Sequence, residues 1–301
     1  MMRGQVPKPS YGSLVMPQHA VPPFLRRRST LAALACGVAV ATGAGLLLSH
    51  AFATGSADEA APEIVPPRAN VTFDYQIGGA YTPPAGVGAV SRDRGDAPAE
   101  GLYNVCYVNA FQTQPDALDQ WQNDDPDLLL RDGDGELVSD EAWDEVLLDT
   151  STAGKRARLA EIVGEWIDGC AASGFQAVEP DNLDSFERSD GLLTREHNAA
   201  FAKLLADRAH SVGLAIGQKN TTDLLDRREA IGFDFAVAEE CGRYDECADY
   251  ASAYEDKVFV VEYTDGDFAK ACSSVGAKVS VVRRDLDVRP AGRPGYVFRT
   301  C

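Results

Sequence analysis

One short stretch constrains this chain more than any other: Ala177-Val178 runs directly into Glu179-Pro180-Asp181-Asn182. An apolar run that stops in acidic residues around a proline reads as a buried parallel strand opening into a rigid loop. The pattern recurs where Phe233-Asp234-Phe235-Ala236-Val237-Ala238 leads into Glu239-Glu240-Cys241. Buried parallel strands with acidic ends are the mark of a barrel that carries its chemistry at the strand C-termini. Two such ends supply a pair of carboxylates, the equipment for cutting a glycosidic bond.

The rest of the chain supplies the remaining strands. Runs rich in β-branched and aromatic residues fall at 71–77, 87–91, 103–109, 175–179, 214–218, 233–238, 258–262 and 278–282. Helical patterns separate the later runs. The stretch 155–173 places Leu159, Ile162, Val163, Trp166 and Ile167 on one face, and 194–212 does the same with Phe201, Leu204, Leu205 and Ala209. Shorter helices are predicted over 223–231, 247–254 and 267–275. This alternation predicts an α/β fold, a single (β/α)8 TIM barrel over residues 70–301. An open doubly wound sheet competes, but no Gly-x-Gly-x-x-Gly follows a strand. Polar residues also close nearly every strand: Gln76, Asp93, Asn109, Glu179 with Asp181, Lys219 with Asn220, Glu239, Glu262 with Tyr263, and Arg284 with Asp285.

Residues 110–150 form an insertion after the third strand, and 128–138 within it reads as a hairpin with a glycine-rich turn. Its Asp132-Gly133-Asp134-Gly135 looks like part of a calcium loop. The twelfth position is Trp143, however, where a bidentate glutamate is needed, so no metal is expected.

Arg26-Arg27-Arg28 precede an apolar run from Leu31 to Leu48, and Ala51-Phe52-Ala53 offers small residues at signal-peptidase spacing. Residues 1–53 therefore read as a signal peptide for the general secretory or twin-arginine route, an uncleaved membrane anchor being the alternative. Residues 54–69 read as a disordered linker. Loss of Arg3, Lys8, Arg26, Arg27 and Arg28, with no acidic residue, moves the net charge from −18 to −23. So acidic a chain does not track a phosphate backbone, which argues against nucleic acid, and it steers cationic ligands toward itself. After signal removal no stable membrane partner is expected, and the protein is expected to be monomeric.

Six cysteines remain once Cys36 leaves with the signal, an even number in an exported chain. Cys241 and Cys247 share one polar loop and pair most naturally. A bridge from Cys272 to the terminal Cys301 would tie down the chain end, and Cys106 with Cys170 follows by elimination. No Cys-x-x-Cys exists, and beyond residue 53 only His197 and His210 are available, so neither zinc nor a catalytic thiol is indicated. No Gly-x-Ser-x-Gly or phosphate loop is present. What the predicted barrel face holds is carboxylate and amide interleaved with Tyr75, Tyr244 and Tyr263. Glycoside cleavage needs that chemistry and no cofactor.

These residues resemble glycoside hydrolase family 114. The resemblance rests on Gln76, Cys106-Tyr107, the Val178-Glu179-Pro180-Asp181-Asn182 block, Gly217-Gln218-Lys219-Asn220, Glu239 with Cys241, Tyr244 and Cys247, and Val261-Glu262-Tyr263. It implies a TIM-barrel endo-α-1,4-polygalactosaminidase, a cationic amino-sugar polysaccharide as substrate, and Asp181 with Glu239 as the catalytic pair. Asp181 is assigned as nucleophile and Glu239 as general acid/base in a retaining mechanism, an assignment that the reverse roles would also fit. Tyr75, Gln76, Asp93, Asn109, Glu179, Asn182, Lys219, Asn220, Tyr244, Glu262 and Tyr263 are the expected substrate-binding residues. The chain departs from the family pattern at Ala238 and Glu240, at Leu147 to Ser151, and at Ser91 to Arg94, where Arg92 and Arg94 flank Asp93. Two alternatives follow: a catalytically silent carbohydrate-binding barrel, or a hydrolase of a neutral α-galactoside.

Overall fold

The computed structural model describes residues 62–301. The expected signal segment 1–53 and the first part of the expected linker, 54–61, lie outside the described residues. Residues 62–69, expected as linker, have no regular structure but lie against the domain. Ile64 packs on the interior apolar cluster, and the Val65 carbonyl accepts a hydrogen bond from the Tyr103 hydroxyl at 2.8 Å.

In chain order the strands are β1 (Phe73–Tyr75), β2 (Ala89–Asp93), β3 (Tyr103–Asn109), β4 (Ser139–Asp140), β5 (Glu145–Val146), β6 (Ala177–Asp181), β7 (Ala215–Lys219), β8 (Phe235–Glu239), β9 (Val258–Glu262), β10 (Ser280–Arg284) and β11 (Phe298–Thr300). The helices are α1 (Leu118–Asp124), α2 (Ala153–Ser173), α3 (Arg195–Ser211), α4 (Arg228–Ile231), α5 (Cys241–Tyr244), α6 (Cys247–Ala253) and α7 (Asp265–Val275). Eight strands pair in parallel in the order β1-β2-β3-β6-β7-β8-β9-β10, and β11 lies antiparallel on the far edge of β10. This is a TIM-type barrel with two departures from a regular (β/α)8 repeat. The connections after β1 and β2 carry no helix, and β1 meets β10 without a hydrogen-bonded ladder. A buried ion pair spans that seam, Arg284 Nη1 to Asp74 Oδ1 at 3.2 Å, and Tyr81 donates to the same carboxylate.

Alternation along the strands separates two apolar layers. Phe73, Tyr75, Ala89, Val105, Ala177, Ala215, Phe235, Val237, Phe259, Val261 and Val282 fill the interior, where the Phe73 and Phe259 rings stack at 4.1 Å. Gly217 belongs to this layer for a steric reason: a Cβ there would meet the Phe235 ring at 2.8 Å. Residues of the opposite parity, such as Val108, Val178, Ile216, Ala236 and Val260, pack outward against the helices. Helix α2 starts where Thr152 accepts from the Lys155 N–H and stops at Gly174, whose φ of 92° only glycine adopts freely. In α3 a capping box joins Thr194 to His197, which occupies that histidine structurally.

Between β3 and α2 the insertion holds α1 and the small antiparallel pair β4–β5, with a tight turn bridging Arg131 to Leu137 beside it. The helix predicted over 223–231 is a 3-10 segment, Thr222–Arg227, followed by the single turn α4. Disulfides join Cys106 to Cys170, Cys241 to Cys247 and Cys272 to Cys301, the three pairs expected from the sequence. They tie β3 to α2, α5 to α6, and α7 to the chain end. Among the described residues no helix is long and apolar enough to cross a membrane.

Candidate active site

The inward positions at the C-terminal ends of the strands converge on one lysine. Lys219, at the end of β7, is 1% exposed and points its ammonium at three carboxylates. Nζ lies 2.9 Å from Glu179 Oε1, 3.0 Å from Asp181 Oδ1 and 3.3 Å from Glu239 Oε2. Glu179 is fully buried beneath, held by the Tyr75 hydroxyl at 2.8 Å and the Ser91 hydroxyl at 2.7 Å. Asp181 and Glu239 sit above it and remain partly open, with 17% and 23% of their side-chain surface accessible. The Tyr107 hydroxyl donates to Asp181 Oδ2 at 2.6 Å, and the Tyr263 hydroxyl donates to Glu239 Oε1.

The strands run further than their apolar runs, and for a shared reason. The predicted strand ends at Glu179 and Ala238 give way to Asp181 and Glu239, both still in register with neighbouring strands. Lys219 neutralises these inward acids, so the ladder continues through them. Immediately afterwards the chain turns sharply. Asn182, Asn220 and Glu240, each directly following a charged member of the cluster, take φ of 64°, 51° and 55°. Left-handed backbone at non-glycine residues is costly and concentrates where a site dictates geometry. Asn220 uses its turn to hold Glu239: its Oδ1 accepts from the Glu239 N–H at 2.8 Å and its Nδ2 donates to Oε2 at 3.4 Å.

Electrostatically the cluster sets three carboxylates against one ammonium. Burial alone would discharge Lys219, but Asp181, Glu179 and Glu239 together raise it well above the usual lysine value, so it stays charged. Burial also opposes ionisation of Asp181. The Lys219 ammonium, the Tyr107 hydroxyl and the Asn182 N–H outweigh that and hold Asp181 below the usual carboxylate range. Glu179 goes the other way: burial pushes it up, and Lys219 and Ser91 recover only part. Tyr75, Tyr107 and Tyr263 are pushed well up by burial and then by nearby carboxylates, so they remain donors.

Of the residues expected from sequence, Tyr75, Glu179, Asp181, Lys219, Asn220, Glu239 and Tyr263 meet in this cluster. Asn109 and Asn182 lie at its edge, joined to each other at 2.9 Å. Asp93 ends β2 in register with Tyr107 and caps its own turn through the Gly95 N–H at 2.8 Å. Its flanking arginines are employed elsewhere. Arg92 Nε donates to Gln76 at 2.9 Å, and Arg94 lies over the Trp166 ring at 4.5 Å. Tyr244 on α5 is 58% exposed, with the Arg243 guanidinium over its ring.

Two expected residues are elsewhere. Gln76 is buried in the seam, donating to Asp74 at 2.8 Å and accepting from Arg92. Glu262 points outward beneath α5, where its Oε1 accepts from the Gly242 N–H at 2.7 Å. Both are displaced by strand parity: each neighbours an inward tyrosine, Tyr75 or Tyr263, and so faces the opposite side. Glu262 also forms the one grouping with metal-ligand spacing among the described residues, together with Cys241 and Cys247. Those two cysteines are a disulfide, so they offer no thiolate. Three residues at the site carried no expected role: Tyr107, Ser91 and Glu145. The first two share inward parity with Asn109 and Asp93 and could have been found that way. Glu145 comes from the insertion, and no strand-end signal marks it.

The model of glycoside-hydrolase family GH114 matches residues 54–301. Among solved structures the chain is similar to Aspergillus fumigatus Ega3 in complex with galactosamine, at 22% identity and a TM-score of 0.65, covering 79% of this chain and 98% of that one. It is also similar to the glycoside hydrolase domain of PelA from Pseudomonas aeruginosa, at 15% identity and a TM-score of 0.49, covering 74% and 97%. No curated protein matches the chain.

Proposed function

The chain belongs to glycoside-hydrolase family GH114, and from that premise we propose that it is an exported, retaining endo-glycosidase. In this reading it cleaves α-1,4-linked galactosamine-containing polysaccharide, with Asp181 as nucleophile and Glu239 as general acid/base. The observation that carries the reading is the pair of half-open carboxylates bridged by a buried lysine at the mouth of the barrel. Their contacts to one ammonium, at 3.0 and 3.3 Å, bring the two carboxylates close together. Close approach is what a retaining pair, ~5–5.5 Å apart, requires.

The division of labour follows from the surroundings. Asp181 is held ionised by Lys219, Tyr107 and the Asn182 N–H, which suits the group that attacks the anomeric carbon. Glu239 is anchored by Asn220 and Tyr263, which fixes the carboxyl that protonates the departing oxygen and then activates water. The likeness to Ega3, solved with galactosamine, supports an amino sugar as substrate. So does the negative excess of the cluster and of the chain, which draws in a polycation. Three disulfides support export from a reducing cytoplasm, with residues 1–53 as the signal.

The test is incubation of the protein with partially deacetylated galactosaminogalactan, followed by an assay for new reducing ends. Reducing ends should appear with the wild type and vanish with Asp181→Asn. Binding without cleavage would overturn the reading in favour of a silent carbohydrate-binding barrel. Cleavage confined to neutral α-galactosides would overturn the substrate assignment.

A further inference from the structure

Asp181 offers two oxygens to an anomeric carbon, and the hydrogen bonds around it tell them apart. Oδ1 accepts from Lys219 Nζ at 3.0 Å and from the Asn182 N–H at 2.7 Å. A carboxylate oxygen has about two acceptor sites, so both of those on Oδ1 are taken. Oδ2 accepts one hydrogen bond among the described residues, from the Tyr107 hydroxyl at 2.6 Å. It keeps a lone pair for the reaction. Oδ2 is therefore the oxygen equipped to attack, and Tyr107 sits on it.

Tyr107 is fixed in that position. It lies in β3, in register with Asp93 on one side and Glu179 on the other, and the adjoining Cys106 is tied to α2 by its disulfide. The Lys219 ammonium lies 5.4 Å from the centre of its ring. Burial and then the Asp181 charge push the phenol well above its ordinary value, so it remains a neutral donor. A hydrogen bond from such a donor to a carboxylate is charge-assisted, and it weakens when the carboxylate loses its charge.

We propose, on the retaining reading above, that Oδ2 is the attacking atom and that Tyr107 is a positioning residue that governs breakdown of the glycosyl-enzyme. In the first step an Oδ2 lone pair bonds to the anomeric carbon. The glycosidic C–O pair leaves with the departing oxygen, which takes the Glu239 proton. The charge that Tyr107 stabilised is consumed. In the second step Glu239 takes a proton from water, and the water oxygen bonds to the anomeric carbon. The ester C–O electron pair returns to Oδ2, the atom that Tyr107 holds. The hydrogen bond thus stabilises the free enzyme most, the two transition states in part and the ester least. Its loss should slow the second step and leave the first, measured from free enzyme, no slower.

The test is Tyr107→Phe, which keeps the ring and removes only the hydroxyl, assayed by stopped flow on a dinitrophenyl glycoside of a galactosamine oligomer. With so good a leaving group the first step is fast. kcat should fall about tenfold and KM by a similar factor, leaving kcat/KM within about threefold of the wild type. A burst of dinitrophenolate close to about one per active site should precede the steady state. Mass spectrometry of the acid-quenched protein should place the added sugar on Asp181. Unchanged kcat without a burst would overturn the inference. So would kcat/KM falling as far as kcat without a burst, because Tyr107 would then be a structural brace. A wild type whose first product has inverted anomeric configuration would instead overturn the retaining reading.

Discussion

Removing the charge of Lys219 should damage stability and the pH profile together. In Lys219→Met the ammonium disappears from the centre of Glu179, Asp181 and Glu239, each within 3.3 Å of it. At an effective dielectric constant of about 20, each unit-charge contact near 3 Å is worth roughly 5 kcal/mol before desolvation is subtracted. Desolvation offsets much of that, and removal of one partner from a buried pair costs about 3–5 kcal/mol in practice. For a domain of this size each kcal/mol shifts the melting temperature by about 2–4 °C, so a drop of roughly 10 °C is expected.

Asp181 should report the same loss. It is held below its unfolded pKa, so it stabilises the fold at neutral pH, and this contribution fades as pH falls through its folded value. Without Lys219 the acidic limb of the kcat/KM profile should move up by about 1–3 pH units. The double variant Lys219→Met/Glu179→Gln should regain much of the stability, because the deepest uncompensated carboxylate is gone, yet keep the shifted acidic limb. Thermal melts by circular dichroism and pH–rate profiles read both effects. A Lys219→Met protein melting within about 2 °C of the wild type, with its acidic limb in place, would refute the reasoning.

Asp181→Asn and Glu239→Gln should each lower kcat by roughly a thousandfold while leaving a folded protein, as turnover assays and melts would reveal. Azide should rescue Asp181→Ala if Asp181 is the nucleophile, and rescue of Glu239→Ala instead would reverse the roles. Gly217→Ala should cost about 1–3 kcal/mol by denaturant unfolding, since its Cβ would come within 2.8 Å of the Phe235 ring. Burial pushes Glu262 up to about 7, so its share of stability is present below its unfolded pKa and is lost as pH rises through 7. Glu262→Gln should therefore remove up to about 3 kcal/mol of the decline between pH 5 and 8, measured as unfolding free energy against pH.

Much of the barrel can be read from the chain because parallel strands buried on both faces leave continuous apolar runs. Strands β3 and β9 coincide with their predicted ranges, and the others shift by about two residues. In β6 and β8 the shift occurs where Asp181 and Glu239 stay in the ladder beside Lys219, and in β2 and β10 where Arg92 and Arg284 find partners at the seam, effects with no local signal. The catalytic candidates are legible for the opposite reason: Asp181 and Glu239 break an apolar pattern abruptly. Gln76 and Glu262 lie off the cluster because one step along a strand reverses a side chain, so a polar residue next to an inward tyrosine faces the other side. The helix-free connections after β1 and β2, the seam closed by Asp74 and Arg284, and the arrival of Glu145 at the mouth all depend on contacts distant in sequence. No window of sequence contains them.

The central claim is that Asp181 and Glu239 work as a retaining pair. Proton NMR of the reducing end first released from an α-1,4-linked galactosamine oligomer, recorded before mutarotation, tests it most directly. The account predicts that the α-anomer appears first and the β-anomer follows only as the product equilibrates. Initial release of the β-anomer would contradict it, since a single inverting displacement would then have taken place across the two carboxylates.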